Sequence, residues 1–406
     1  MKRFMKRWQR KMYEQKSWKA AFNVMETLIN HGYEAVIVGG AVRDLLRGHL
    51  VHDVDVATNA HPEEVKALFS NTADVGIAHG TVLVIHKLSP IEVTTYRTEG
   101  QYQDHRRPDE VKFVSSLSED LKRRDFTINA MALTIHEEII DLYGGKEDME
   151  RHIIRAVGEP TKRFKEDALR MLRAIRFSAQ LGFQIEINTL EAIKKQAEDI
   201  CFIAKERIKQ EFDKIFISRY PKNAFLHISN SSLSQFLPGD YSHYEAWECF
   251  KPNGKSVKGW AFLTLLQPNH DASILSQLKC SNSEKKYVKA VVEAFQLLND
   301  GGWTKRDYFD YDVDILETAY EFACQLNKNV KAPASQYDIV QIKSSLAIQS
   351  QQELAVSGQD LIKWSGQRGG PWLKEMLNRI LNEILENRLS NSTEQIKEWF
   401  LREHTH

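Results

Sequence analysis

Ala35-Val36-Ile37-Val38-Gly39-Gly40-Ala41-Val42-Arg43-Asp44, followed nine residues later by Asp53-Val54-Asp55-Val56, is the stretch on which the fold turns. A β-branched run, a double-glycine turn, a short helix over 41–47 and an alternating segment read as strand, turn, helix, strand. The period of 2 in the last strand puts Asp53 and Asp55 on one face and sends Val54 and Val56 to the core. Two hard carboxylates without a soft partner suit Mg²⁺, which takes one or two protein carboxylates and completes its shell with substrate phosphates and water. Gly39 and Gly40 let backbone N–H groups approach an anion where a helix begins, and Arg43 lies one turn further in, within reach of a phosphate. Neither G-x-G-x-x-G nor G-x-x-x-x-G-K-[ST] is present at this point. Taken singly, Asp-x-Asp also reads as a solvated strand face and Gly-Gly as a tight turn.

Outward from this core, two further strands are expected over 81–86 and 91–97. The second carries Glu92, a candidate third carboxylate or equally a salt-bridged strand residue. Residues 98–110, with Asp104, His105, Arg106 and Arg107, read as a long polar loop, 125–134 as helix and 139–142 as a short strand. From residue 161 onward helical periodicity dominates, with breaks at Pro238-Gly239-Asp240 and Lys251-Pro252-Asn253-Gly254. The expected class is α+β, a small mixed α/β head followed by an elongated all-helical C-terminal part. The expected divisions are a basic N-terminal extension (1–30), a catalytic head (31–150), a helical neck (151–225), a helical body (226–310) and a helical tail (311–406).

The whole-chain chemistry agrees with such a protein. Of 406 residues, 42% are hydrophobic and 10% aromatic, enough for a sizeable core and unlike a disordered chain. Lys plus Arg and Asp plus Glu balance at 55 each, so a site for a polyanion has to be local rather than global. Four cysteines, Cys201, Cys249, Cys280 and Cys324, lack zinc spacing and disulfide density, which points to a reducing cytoplasm. No apolar run is long enough for a membrane span. The basic N-terminus (Lys2, Arg3, Lys6, Arg7, Arg10, Lys11, Lys16) reads as an RNA-contacting arm or as a solvated first helix.

Two later segments carry further chemistry. Arg123-Arg124-Asp125-Phe126-Thr127-Ile128-Asn129-Ala130 leads charge into a compact apolar run. Arg163 to Phe177, read as one helix, places Asp167, Arg170, Arg173 and Arg176 on one half of the wheel. Residues 151–176 hold eight Lys/Arg against three Asp/Glu, a local excess that wants an anion. Asp167 and Arg170, at i and i+3, set an acceptor beside a donor. That pattern fits the Watson–Crick edge of cytosine or adenine and leaves groups unpaired against guanine or uracil. An ordinary surface salt bridge has the same spacing, and the helix alone does not separate the two readings.

The ordered set of motifs resembles the nucleotidyltransferase superfamily, in the branch of bacterial tRNA nucleotidyltransferases and poly(A) polymerases. Glu166-Asp167-x-x-Arg170-x-x-Arg173-Ala174-x-Arg176-Phe177 resembles the nucleotide-selecting motif of class II CCA-adding enzymes in particular. The likeness is strong over residues 30–185 and weaker beyond, at Gly358-Gln359-Asp360-Leu361 and around Gly366 and Trp372. It implies that Asp53 and Asp55 hold two Mg²⁺ ions and that Gly39, Gly40, Arg43 and Arg124 contact nucleotide. It implies further that Asp167 and Arg170 recognise the incoming base and that Arg173 and Arg176 bind nucleotide, with side chains replacing a nucleic-acid template.

The expected reaction is attack of the tRNA 3′-hydroxyl, at the end of the acceptor arm, on the α-phosphate of CTP or ATP, with release of pyrophosphate. CC-adding relatives lack the flexible loop that 98–110 supplies here, so complete CCA addition is expected, with an A-adding or poly(A)-synthesising member as the alternative. Gly366 to Trp372, with Arg368, and then Lys374 read as an RNA-backbone contact or as a helix-start loop. A His-Asp phosphohydrolase would need more spaced histidines than His52-Asp53 and His270-Asp271 provide, and a non-catalytic RNA-binding protein would leave Asp53 and Asp55 as an unexplained repulsive pair. Assembly into a homodimer is left open by the sequence.

Overall fold

The structure is a computed structural model that describes residues 13–51, 53–76, 80–99, 111–326 and 336–404. The chain divides into two compact units, Met1–Trp247 and Glu248–His406.

The first unit begins with α1 (Lys16–Asn30), whose buried stripe of Trp18, Ala21, Val24, Met25 and Leu28 recurs at helical spacing and lies against the sheet. Of the basic N-terminal residues only Lys16 falls within the described part of the chain. Next come β1 (Ala35–Val38), α2 (Gly40–Leu46), β2 (Asp55–Thr58), α3 (Pro62–Leu68), β3 (Thr72–Gly76), β4 (Thr81–Ile85) and β5 (Pro90–Thr95). A two-stranded ribbon, β6 (Arg97–Glu99) with β7 (Val111–Phe113), leads to α4 (Leu117–Lys122), β8 (Met131–Leu133) and β9 (Ile139–Asp141). The main sheet has the order β3-β4-β5-β2-β1-β8-β9. All its described pairings are antiparallel except β2 with β5.

Alternation along β1 and β2 sends Val36, Val38 and Ala57 to the face where Leu121 of α4, Tyr96 and Ala132 pack. Val38 is in register with Asp55, so Asp55 emerges at the edge of this covered face. Residues 98–110 are not all loop, because Thr98 pairs with Lys112 and Glu99 with Val111 across the ribbon. The remainder of that segment, 100–110, lies outside the described residues, and so does the argument from its length.

Residues 125–134 are not a helix. They form a single 3₁₀ turn, Thr127–Asn129, followed by β8. Phe126 bridges Ala156, and the Thr127 and Val157 N–H groups donate to Arg155 and Asp125 carbonyls at 2.9 and 3.1 Å. These long-range bonds hold extended backbone where local propensity allows a helix.

The unit continues through α5 (Gly145–Glu150), β10 (Ile153–Ile154), α6 (Pro160–Glu166), α7 (Leu169–Leu181), β11 (Gln184–Ile185), α8 (Ile187–Gln196), α9 (Lys205–Phe216) and α10 (Pro221–Asn230). The expected single helix over 163–177 is therefore two. Asp167 sits between them in extended backbone (φ −146°, ψ 105°), and its Oδ1 accepts the Leu169 N–H at 3.1 Å. A side chain that satisfies a free amide of the next helix competes with continuation of the previous one. α7 packs on α9 and α10 over an aromatic layer that includes Phe212, Phe216, Phe225 and Trp247.

The second unit is helical: α11 (Ser256–Leu265), α12 (Ser273–Gln277), α13 (Asn282–Asp300), α14 (Lys305–Asp310), α15 (Val313–Leu326), α16 (Gln336–Ser344), α17 (Gly358–Ser365), α18 (Trp372–Leu385) and α19 (Thr393–His404). α13 packs between α11 and α15, and Phe250, Phe262 and Phe322 meet there. No helix among the described residues is long and apolar enough to cross a membrane.

Candidate active site

The carboxylates come from neighbouring strands. Val56 of β2 is opposite Val93 of β5 in the parallel pair, so the preceding residues, Asp55 and Glu92, stand side by side on the same face. Val54 and Val56 are buried while Asp53 and Asp55 are exposed, which is the alternation expected from Asp53-Val54-Asp55-Val56. β2 begins at Asp55, with Asp53 just ahead of it. The protein around Asp55 removes enough water, and Glu92 and Asp53 add enough negative charge, to push its carboxyl up to about 6 against the pull of Arg124. Such a set of hard oxygens, short of positive charge, fits a divalent metal. Among the described residues no three His, Cys, Asp or Glu side chains are grouped to enclose a metal on their own, so the remaining ligands would have to come from outside the protein.

Asp55 opens into a cleft of about 450 Å³ lined also by Gly39, Gly40, Arg97, Arg123, Arg124, Asp125, Asn129, Asp167, Arg170, Arg173, Phe177 and Arg207. Gly39 caps α2 at φ 73°, ψ −133°, a conformation that side chains resist, and a Cβ there would lie 3.1 Å from Arg124 Nη1. Arg124 donates through Nη2 to the buried Asp120 carboxylate at 3.1 Å, while its buried Nε has no protein partner. Arg43 is turned along its own helix. It donates to Asp44 at 2.9 and 2.8 Å and to Asn129 Oδ1 at 2.7 Å, and lies 5.3 Å from the Phe177 ring centroid.

The opposite wall is built from α7. Arg170, Arg173 and Phe177, at i, i+3 and i+7, share the face that meets the cleft. Arg170 is nearly buried and donates to Glu166, which also accepts from Arg163 at 2.7 Å, and its Nη2 reaches the Arg123 carbonyl at 3.3 Å. Arg173 donates Nε and Nη2 to Asp125 Oδ2 at 2.8 and 2.6 Å. Burial of Asp125 opposes ionisation, but the Arg173 charge and its hydrogen bonds outweigh it and hold the carboxyl near 2.

Arg176 is placed differently. It is buried, donates to Glu211 and Gln180 at 2.5 Å each, and stacks 3.9 Å from the Phe177 centroid, without lining the cleft. Asp167 is not on the helical wheel with the arginines. It reaches the cleft from the break between α6 and α7, and Arg207 of α9 donates to both of its oxygens at 2.8 and 3.3 Å.

Sequence reading brings together Asp55, Gly39, Gly40, Arg124, Asp167, Arg170 and Arg173 in this cleft. It misses Arg207, Arg123, Asp125, Asn129, Phe177 and Arg97 as site residues. Asp125 and Asn129 lie inside the Arg124 motif itself and could have been found there. Arg207 sits in Lys205-Glu206-Arg207-Ile208-Lys209, a mixed-charge run with nothing to distinguish it from a solvated helix start.

Comparison with known proteins bears on this cleft. The family model of the poly A polymerase head domain matches residues 35–155. The model of tRNA nucleotidyltransferase domain 2 matches 253–400, and the one named probable RNA and SrmB-binding site of polymerase A matches 182–239. A CCA-adding enzyme of Bacillus mycoides is 39% identical over 394 residues, covering 95% of this chain and 98% of that protein. One from Lactobacillus helveticus is 41% identical over 386 residues, covering 93% and 96%. The solved structure of the Bacillus stearothermophilus CCA-adding enzyme in complex with CTP superimposes with a TM-score of 0.86 at 35% identity, over 96% of this chain and 98% of that one.

Proposed function

The chain belongs to the CCA-adding enzyme family of tRNA nucleotidyltransferases, and from that premise we propose that it adds CCA to the 3′ end of tRNA, using CTP and ATP without a nucleic-acid template. The observation that carries this reading is the placing of Asp55 beside Glu92, with Asp53 just upstream, at one end of a cleft whose other wall offers Asp167, Arg170 and Arg173.

Asp53 and Asp55 would hold Mg²⁺, with Glu92 as the third carboxylate. Two ions bound there would supply, one, a lowered pKa for the attacking tRNA 3′-hydroxyl and, the other, neutralisation of charge on the leaving pyrophosphate. The hydroxyl is the nucleophile, so the protein needs no Ser, Cys or His of its own. Gly39 and Gly40 bring the N–H groups at the start of α2 up to the triphosphate, with Arg124 and Arg43 on either side. Asp167 accepts from the exocyclic amino group of cytosine or adenine, and Arg170 donates to the adjacent ring nitrogen. Guanine and uracil present the reverse order and leave both residues unpaired, a difference worth several kcal/mol in a dry site. Arg207 takes one lone pair on each Asp167 oxygen and the Leu169 N–H takes the second on Oδ1, so Oδ2 keeps the lone pair that meets the base. Arg173 and Phe177 form the wall behind the nucleotide, and Arg176 holds the Phe177 ring from the other side.

The test is extension of a tRNA lacking its last three nucleotides, with Mg²⁺ and CTP, ATP or both, and with Asp53→Ala alongside. Growth by two residues with CTP and by three with both, lost in the variant, is the expected result. Extension only of tRNA already ending in CC would make the protein an A-adding enzyme, long tails from ATP would make it a poly(A) polymerase, and no extension would overturn the catalytic reading.

A further inference from the structure

α2 and α7 each have one end at the catalytic cleft, and their other ends meet a second cavity of about 820 Å³, larger than the cleft itself. The seven residues of α2 span roughly 10 Å, which is the distance scale between the two sites. Arg47, the residue after α2, lies in the second cavity with His49, Lys146 of α5, Phe183 and Tyr220.

The lining sets the aromatic Phe183 and Tyr220 among the basic Arg47, His49 and Lys146. Phe183 is buried, with the Arg47 guanidinium 5.6 Å from its ring centroid. Tyr220 is exposed, with Arg219 5.4 Å from its centroid, and its ring lies so close to Gly182 that a Cβ there would approach it to 2.8 Å. The positive charges are poorly neutralised. Asp44, 3.9 Å from Arg47, is held more closely by Arg43 at 2.9 and 2.8 Å. Lys146 and Arg219 make no ion pair among the described residues. Burial, together with Arg43 and Arg219, lowers the pKa of Arg47, and burial with Arg47, Arg219 and Arg43 lowers that of His49, in both cases against the pull of Asp44. Glu150 is the only acidic side chain in the lining.

We propose that this cavity is a docking subsite for tRNA, in which Arg47 and Lys146 of the lining, with Arg219 beside it on the Tyr220 ring, take backbone phosphates while a nucleoside stacks on Tyr220. Aromatic faces set among arginines and lysines are the chemistry that binds unpaired nucleotides and the backbone beside them. Half of the subsite, Arg47, His49 and Lys146, comes from the head, outside the segment matched as an RNA-binding site. The occupant is RNA rather than a free nucleotide because Arg47 and Arg219 stand on two different rings, Phe183 and Tyr220, with Lys146 on a third element, and the lining holds a single acidic side chain, Glu150, rather than a pair to share a metal with a triphosphate. The inference rests on the reading of the chain as a tRNA-extending enzyme, but concerns a surface separate from its catalytic cleft.

The test measures affinity for tRNA lacking CCA by fluorescence anisotropy, without nucleotide or metal, for the full chain and for Lys146→Glu, Arg219→Glu and Tyr220→Ala. Binding weakens about tenfold in each. The dependence of log Kd on log salt becomes shallower by about one in the two charge variants and is unchanged in Tyr220→Ala. The KM for CTP and the kcat at saturating tRNA stay within about twofold of the parent. Unchanged tRNA affinity in all three variants would overturn the proposal, and so would loss of ATP binding with tRNA affinity intact. Weakened tRNA binding in a protein that extends no tRNA would uphold the subsite and remove only the catalytic reading.

Discussion

Arg207 grips Asp167 from 40 residues away in sequence, donating Nη2 to Oδ2 at 2.8 Å and Nη1 to Oδ1 at 3.3 Å. Asp167 lies in the break between two helices, where backbone geometry alone gives a carboxylate considerable freedom, so the guanidinium fork fixes the plane in which its oxygens face the cleft. If Asp167 reads the base as proposed, Arg207 is the residue that positions it.

Arg207→Ala should raise the KM for CTP and ATP about tenfold and narrow the preference for CTP over UTP, with a smaller effect on kcat at saturation. Arg207→Lys, which keeps the charge but loses the fork, should fall between variant and parent. Steady-state kinetics with each nucleotide decide this, and an equal loss in kcat for all four nucleotides would point to a general structural fault instead.

Asp53→Ala and Asp55→Ala should each lower nucleotide transfer at least about a hundredfold, while the thermal midpoint does not fall, because Asp53 is exposed and the Asp55 carboxylate, desolvated and crowded by Glu92 and Asp53, adds no stability when ionised. Glu92→Gln should be milder, since the amide keeps an oxygen beside Asp55. Single-turnover extension and thermal unfolding, measured on the same preparations, separate lost chemistry from lost fold.

Gly39→Ala and Gly40→Ala should differ. The first forces a side chain into φ 73° and sets its Cβ 3.1 Å from Arg124, so about 1–3 kcal/mol of stability and part of the nucleotide affinity should go together. At Gly40 the added Cβ meets Arg43 at an ordinary 3.6 Å, so the fold should tolerate it, leaving any loss in nucleotide KM to a blocked approach of phosphate. Denaturant midpoints and KM values for both variants test the contrast.

Asp125 makes an acid-side contribution to stability. Its carboxyl titrates near 2 in the folded chain instead of the usual 3.8, so the stabilisation is full above about 3.8 and is lost as the pH falls through 2. The shift corresponds to about 2 kcal/mol. Asp125→Asn should lower stability at neutral pH and flatten the stability curve between pH 4 and 2. Urea unfolding across that range checks it, and parallel curves for the two proteins would refute the pairing.

Arg176→Ala should be costly to the fold, by about 3 kcal/mol, because it leaves the buried Glu211 carboxylate with only Lys214, at 3.6 Å, to balance it and removes the guanidinium from the Phe177 ring. Replacing both partners with apolar residues should recover much of that stability. A double-mutant cycle followed by urea unfolding gives the coupling directly.

What the sequence made legible was what depends on neighbours in sequence. Val54 and Val56 inward with Asp53 and Asp55 outward follows from a period of 2, and the Gly39-Gly40 turn into α2 follows from composition. Asp167 breaking its helix was not legible, since Lys165-Glu166-Asp167-Ala168-Leu169 has good helical periodicity and the break depends on the Leu169 amide and on Arg207. Arg176 looked like its neighbours on the wheel, yet Glu211, 35 residues on, draws it into the core. The 3₁₀ turn at Thr127–Asn129 depends likewise on Ala156 and Arg155, which local pattern does not report.

The single parallel pairing in the sheet also orders events during folding. β1 and β2 are joined antiparallel through one short helix, so they can meet early, whereas β5 reaches β2 only after a crossover of about 30 residues containing α3, β3 and β4 has closed. Closing that loop costs chain entropy before any strand contact rewards it, which makes the β2–β5 seam one of the slow, non-local steps of the head. Glu92 joins Asp55 at that seam, so a nascent or partly folded head keeps Glu92 away from Asp53 and Asp55 and gathers the three carboxylates only when the fold is nearly complete.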